Sequence, residues 1–150
     1  MSGLFRPAVL LLTLASAVCR ADCIDNSRQL VVDELERFGI RMQIEPAKRH
    51  DATRINIALQ PEVCIKTDEK QCSLAKYNVD SAVLVFPKTQ QPLVLHRPNP
   101  YEVQTEAAIN RSDIAGSQLK LVYRGEPCDG GHFRRQTFTI DLNQAIHGIR

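Results

Sequence analysis

Tryptophan is absent from this chain, aromatic residues make up 5% of it, and Tyr occurs only three times. Sugar-binding faces rely on exposed aromatic rings, so this composition argues against a carbohydrate platform. No CxxC spacing, no HExxH, and no histidine pair at ligand spacing occurs among His50, His96, His132 and His147. The usual zinc signatures are therefore missing, and neither a metal nor another cofactor is expected. A Gly-x-Ser-x-Gly elbow and a catalytic-cysteine signature are also absent, which removes the familiar hydrolytic nucleophiles. The acidic neighbours Asp33/Glu34 and Asp68/Glu69 lie on segments that read as solvated, so they do not form a catalytic pair. Long apolar runs are lacking too. The early run from Val9 to Leu14 is far short of the ~20 residues that a membrane-spanning helix requires.

What is present begins with that same run. Arg6, the apolar Val9 to Leu14, the small residues Ala15, Ser16 and Ala17, and a polar turn into Asp22 and Cys23 have the pattern of a secretory signal peptide. Cleavage after Ala17 or after Ala21 fits the small-residue rule. The later cut leaves Cys23, Cys64, Cys72 and Cys128, an even set, whereas the earlier one strands Cys19 as an odd thiol. The expected organisation is a leader over residues 1–21 and one domain over 22–150. Of the 19 Lys and Arg residues, Arg6 and Arg20 leave with the leader, so the mature chain balances its 17 acidic residues. A chain without net charge has no global attraction to nucleic acid or to an anionic membrane.

An exported domain of this size gains from covalent staples. Four cysteines allow three pairings, between which the sequence alone does not choose; in the favoured set Cys64 with Cys72 would close a short charged loop, and Cys23 with Cys128 would tie the start of the mature chain to a late turn. On chain-entropy grounds the longer ring stabilises more, nearly 5 kcal/mol against roughly 2.5.

Apolar periodicity then sets the elements. Val31, Leu35 and Phe38 recur at helical spacing after a capping Asn26 or Ser27, and Gly39 ends the pattern, which predicts one N-terminal helix. From Ile40 the period becomes two. Ile40/Met42/Ile44 and Ile55/Ile57/Leu59 predict a hairpin linked through Lys48-Arg49-His50-Asp51, and the uninterrupted Ala82 to Phe86 predicts a central strand covered on both faces. Leu93 to Arg97, between Pro92 and Pro98, predicts a short edge strand before the rigid Pro98-Asn99-Pro100 turn. Alternation from Tyr101 to Ile109, from Leu119 to Tyr123, and from Phe138 to Leu142 supplies three more strands. This register turns Tyr101 and Tyr123 toward the core and leaves Tyr77 free in an irregular insert from Lys66 to Asn78. Phe133 is out of phase with the last strand, so either that strand starts near Gln136 or a bulge intervenes. About seven strands at ten-residue spacing predict a mainly β fold, an antiparallel β-sandwich with two disulfides.

Two segments are candidate binding sites. Asp129-Gly130-Gly131-His132-Phe133-Arg134-Arg135 joins backbone freedom to an imidazole and two fixed cations able to grip carboxylates or phosphates. Lys66, Asp68, Glu69 and Lys70 would be presented by the Cys64–Cys72 loop. Asn110-Arg111-Ser112 fits a glycosylation sequon, at a frequency expected by chance. The expected function is non-enzymatic: an exported, disulfide-stabilised domain of the bacterial envelope that binds another protein through its loops. An inhibitor or immunity-type protein and an accessory factor of a surface assembly both fit, with a periplasmic small-ligand carrier or a small secreted hydrolase as alternatives.

Overall fold

A computed structural model describes residues 25–46, 51–65 and 75–149. The predicted leader, the basic link at 47–50, and Cys23, Lys66, Asp68, Glu69, Lys70 and Cys72 lie outside the described residues. The described chain is mainly β and forms two sheets.

The first departure from expectation comes at once. Asp25–Leu30 is a strand, β1, followed by two short 3-10 turns at Val32–Glu34 and Glu36–Phe38. Among the described residues the expected N-terminal α-helix does not form, because the backbone of 25–30 takes a place beside the last strand, where six register pairs run from Asp25↔Arg135 to Leu30↔Ile140. Sheet pairing satisfies six residues together, while a lone helix of this length has little to hold it. The residues meant for the helix keep part of their roles. Leu35 and Phe38 are buried, Gly39 ends the turn in the left-handed region, and Val31 faces solvent.

The alternating segments fold as expected. β2 (Ile40–Pro46) and β3 (Ala52–Leu59) form a regular antiparallel hairpin. β4 (Glu62–Ile65) pairs with the start of β5 (Ala75–Val85), so residues 75–78, expected as irregular insert, belong to a long strand. β6 (Gln90–Leu93) pairs with the far half of β5 and β7 (His96–Asn99) with β8 (Glu102–Asn110). The segment expected as a single strand between Pro92 and Pro98 is thus split and crosses between the sheets. β9 (Gln118–Pro127) and β10 (Phe133–Asp141) complete the set. One short α-helix, α1 (Arg111–Ile114), follows β8, and a second, α2 (Leu142–Gly148), closes the described chain. The Asp141 side chain caps α2 by accepting from the Gln144 amide at 3.0 Å.

One sheet has the order β1-β10-β9-β5-β4 with β6 beside β5, and the other β2-β3-β8-β7. All pairings are antiparallel except β1 with β10. β5 is central, as predicted, although Val83 and Val85 on its outer face are half-buried rather than enclosed. Inward residues of both sheets, including Ile55, Val103, Leu84, Leu119 and Ile140, share one core, within which the Phe38 and Phe138 rings lie 4.7 Å apart. A register shift between Phe133 and Arg135 confirms the irregularity expected from the phase of Phe133.

Two tyrosines exchange their expected places. Tyr101 sits in the turn ahead of β8 and is 85% exposed, because the alternation that buries Val103 and Thr105 does not extend back past Glu102. Tyr77 belongs to β5, in phase with buried Val79, and is 1% exposed.

The cysteines differ from expectation as well. Cys64 carries a free thiol, which removes the expected Cys64–Cys72 staple. It stands exposed on β4 directly opposite Lys76. Cys128 is disulfide-bonded.

Candidate functional site

The turn between β9 and β10 is built by its glycines. Gly130 and Gly131 hold φ of 82° and 77°, a region that L side chains rarely adopt, and the Cys128 amide closes the loop by donating to the His132 carbonyl at 2.8 Å. His132 is left exposed at the tip. The 3-10 turn over Asp129–Gly131 satisfies the hairpin reading of this segment, and what the strands place next to it goes further.

Arg124 of β9 and Arg135 of β10 are direct cross-strand partners on the outer face. Like charges placed opposite one another destabilise a sheet, so a chain that keeps two guanidinium groups there needs acidic neighbours or an acidic ligand. Part of the compensation is internal. Asp80 lies 3.9 Å from Arg124, and Asp25 is opposite Arg135 on its other side, within the register row Asp25, Arg135, Arg124, Asn78, Glu62. Asp80 can reach Arg124 because it is the extra residue of a bulge between Val79 and Ser81.

Phe133 remains 40% exposed, with the Arg124 guanidinium 4.8 Å above its ring. A cation over an aromatic face holds both groups flat at the surface. Arg134, between the two outward residues, is half-buried, and its Nε is buried without a hydrogen-bond partner. Neither Arg134 nor Arg135 takes part in an ion pair among the described residues. The loop end thus gathers three arginines, one exposed aromatic edge and a glycine turn.

Of the residues singled out from the sequence, Gly130, Gly131, His132, Arg134 and Arg135 come together here, and Asp129 lies in the same turn. Arg124 and Phe133 are the additions. Their signal was available: Arg124 is an outward position of the Leu119/Leu121/Tyr123 alternation, and Phe133 breaks phase with its own strand. Their contact, however, depends on a register that no local pattern reports.

Among the described residues the other histidines do not join the turn, since His96 lies on β7 and His147 on α2, and His50 lies outside the described residues. Among the described residues, no three His, Cys, Asp or Glu gather at metal-binding distance. Among them, too, no helix is long and apolar enough to cross a membrane.

Two further hollows open on outer surfaces. One, about 460 Å³, overlies the four-stranded sheet, where Arg41 reaches Glu102 at 2.7 Å beside His96, Gln104 and Glu106. The other, about 540 Å³, lies between Phe86–Thr89 and the start of α1. Compared with known proteins, the chain has no significant match to a family model, a curated protein or a solved structure.

Proposed function

We propose that the chain is an exported, non-enzymatic protein-binding domain of the cell envelope, of the inhibitor or immunity type or an accessory factor of a surface assembly. It grips an acidic segment of its partner with the loop end of the larger sheet. The observation that carries this reading is the outward Arg124/Arg135 pair, with Arg124 stacked against an exposed Phe133 and Arg134 beside them without an ion-pair partner among the described residues. Arginines and aromatics dominate the energetics of protein interfaces. A carboxylate arriving at the turn relieves the opposed charges of Arg124 and Arg135. The turn offers cations, backbone amides and the exposed His132 imidazole, and its sulfur, on Cys128, is committed to a disulfide. That inventory suits binding better than catalysis.

The same reading keeps Cys23 as the partner of Cys128. β1 starts at Asp25, opposite Arg135, so the described chain begins beside the turn that carries Cys128. An oxidising destination such as the periplasm then follows from that bond and the leader. The small-ligand carrier is not favoured, because residues of both sheets fill one continuous core and the hollows described lie outside it.

The test is capture of a partner from envelope extract on the purified chain, followed by titration with the Arg134→Ser/Arg135→Ser variant. Affinity should fall about 10- to 100-fold, with a steep salt dependence for the parent alone. Unchanged affinity in the variant would end the proposal.

A further inference from the structure

Sheets that end in solvent normally protect their last strand with prolines, bulges, inward charges or shortness. β7 does so: it has four residues, contains Pro98, and pairs irregularly with β8. At the opposite edge of the same sheet β2 does none of these. It runs seven residues, Ile40–Pro46, matches β3 in unbroken register from Ile40↔Leu59 to Pro46↔Thr53, and has proline only at its last position. Its inward side is apolar and its outward side reads Arg41, Gln43, Glu45. Ile44 is only half-buried although it is opposite Ile55, which is 0% exposed. The strand thus leaves apolar surface uncovered on the side away from β3.

We infer that the open edge of β2 is an interface that pairs with β2 of a second copy of this chain, antiparallel, about a two-fold axis at Gln43. The sequence is self-complementary for that arrangement. In an antiparallel pair opposed residues share a face, so a one-residue slip that opposes Met42 to Gln43 turns the core side of one copy to solvent. The register centred on Gln43 overlaps all seven residues. It sets Met42 against Ile44 of the partner subunit on the inner face, covering the half-buried isoleucine.

On the outer face the same register sets Arg41 against Glu45 of the partner subunit, twice by symmetry. Shifting the centre to Met42 opposes Arg41 to Gln43 of the partner subunit and loses both charge pairs. Glu45 is in no ion pair among the described residues, and Arg41, which already reaches Glu102, has a side chain 69% exposed. The product is one eight-stranded sheet spanning two copies.

An edge of seven residues is a small interface, so sedimentation of the purified chain is followed from about 5 to 200 µM. A reversible dimer is expected in that range. Arg41→Glu alone opposes Glu to Glu twice, and Glu45→Arg alone opposes Arg to Arg twice. Each should weaken dimerisation about 10- to 30-fold. Mixed in equal amounts, the two variants should form a heterodimer of near-parental affinity, because every opposed pair is again of opposite sign. Heterodimer recovery also shows that both variants are folded. A parent that stays monomeric throughout, or a mixture no tighter than its components, overturns the proposal.

Discussion

Tyr123 buries a hydroxyl that no described residue hydrogen-bonds, and burial drives its phenol upward from the ordinary 10.0. A phenol raised in the folded state contributes stability in full below the unfolded value and loses it as pH climbs beyond. Tyr123→Phe should therefore be neutral to stabilising by up to ~1 kcal/mol at neutral pH. It should also flatten the loss of stability above about pH 10, measured by denaturant titration across pH. Gly125 shows the opposite sensitivity. A Cβ there would lie 2.7 Å from the ring of Tyr77, which the core holds in place, so Gly125→Ala should destabilise by about 1–3 kcal/mol in the same assay. Composition cannot distinguish these tyrosines from Tyr101. Their fates follow from where strands begin, and an alternating pattern carries no mark of its own first residue.

Among elements, β1 departs furthest from its sequence pattern. Only Leu30 of its six residues is buried, so no periodicity of two announces a strand, and the helical spacing of Val31, Leu35 and Phe38 dominates the local signal. The ladder with β10 decides the outcome, and that partner is more than a hundred residues away in sequence. Leu30→Ala removes the anchor of the strand at the core and should cost about 2–4 kcal/mol in chemical denaturation. β4 is hidden for a related reason, since four residues are too few for alternation to register. Strands with several consecutive inward residues, such as β3, β8 and β9, are legible because burial on one face imposes the pattern directly. The candidate site is divided in the same way. Its turn can be read from Gly130-Gly131 and the following arginines, whereas the Arg124–Phe133 stack exists only once β9 and β10 are in register.

At the scale of the molecule, Cys128 fastens the loop end of the larger sheet. Cys128→Ser should lower stability by about 2–5 kcal/mol, and reducing agent should reproduce that loss in the parent but not in the variant, as followed by thermal unfolding. If Arg134 and Arg135 act through the same turn, loosening it should also weaken partner capture, through mobility and not through charge. The parallel seam between β1 and β10 adds a constraint in time. The opening strand of the described chain finds its neighbour near the end of that chain, so β1 has no partner to pair with until β10 has been made. That sheet therefore gains its outermost strand last, by a contact of long sequence separation, which is the kind that forms slowly.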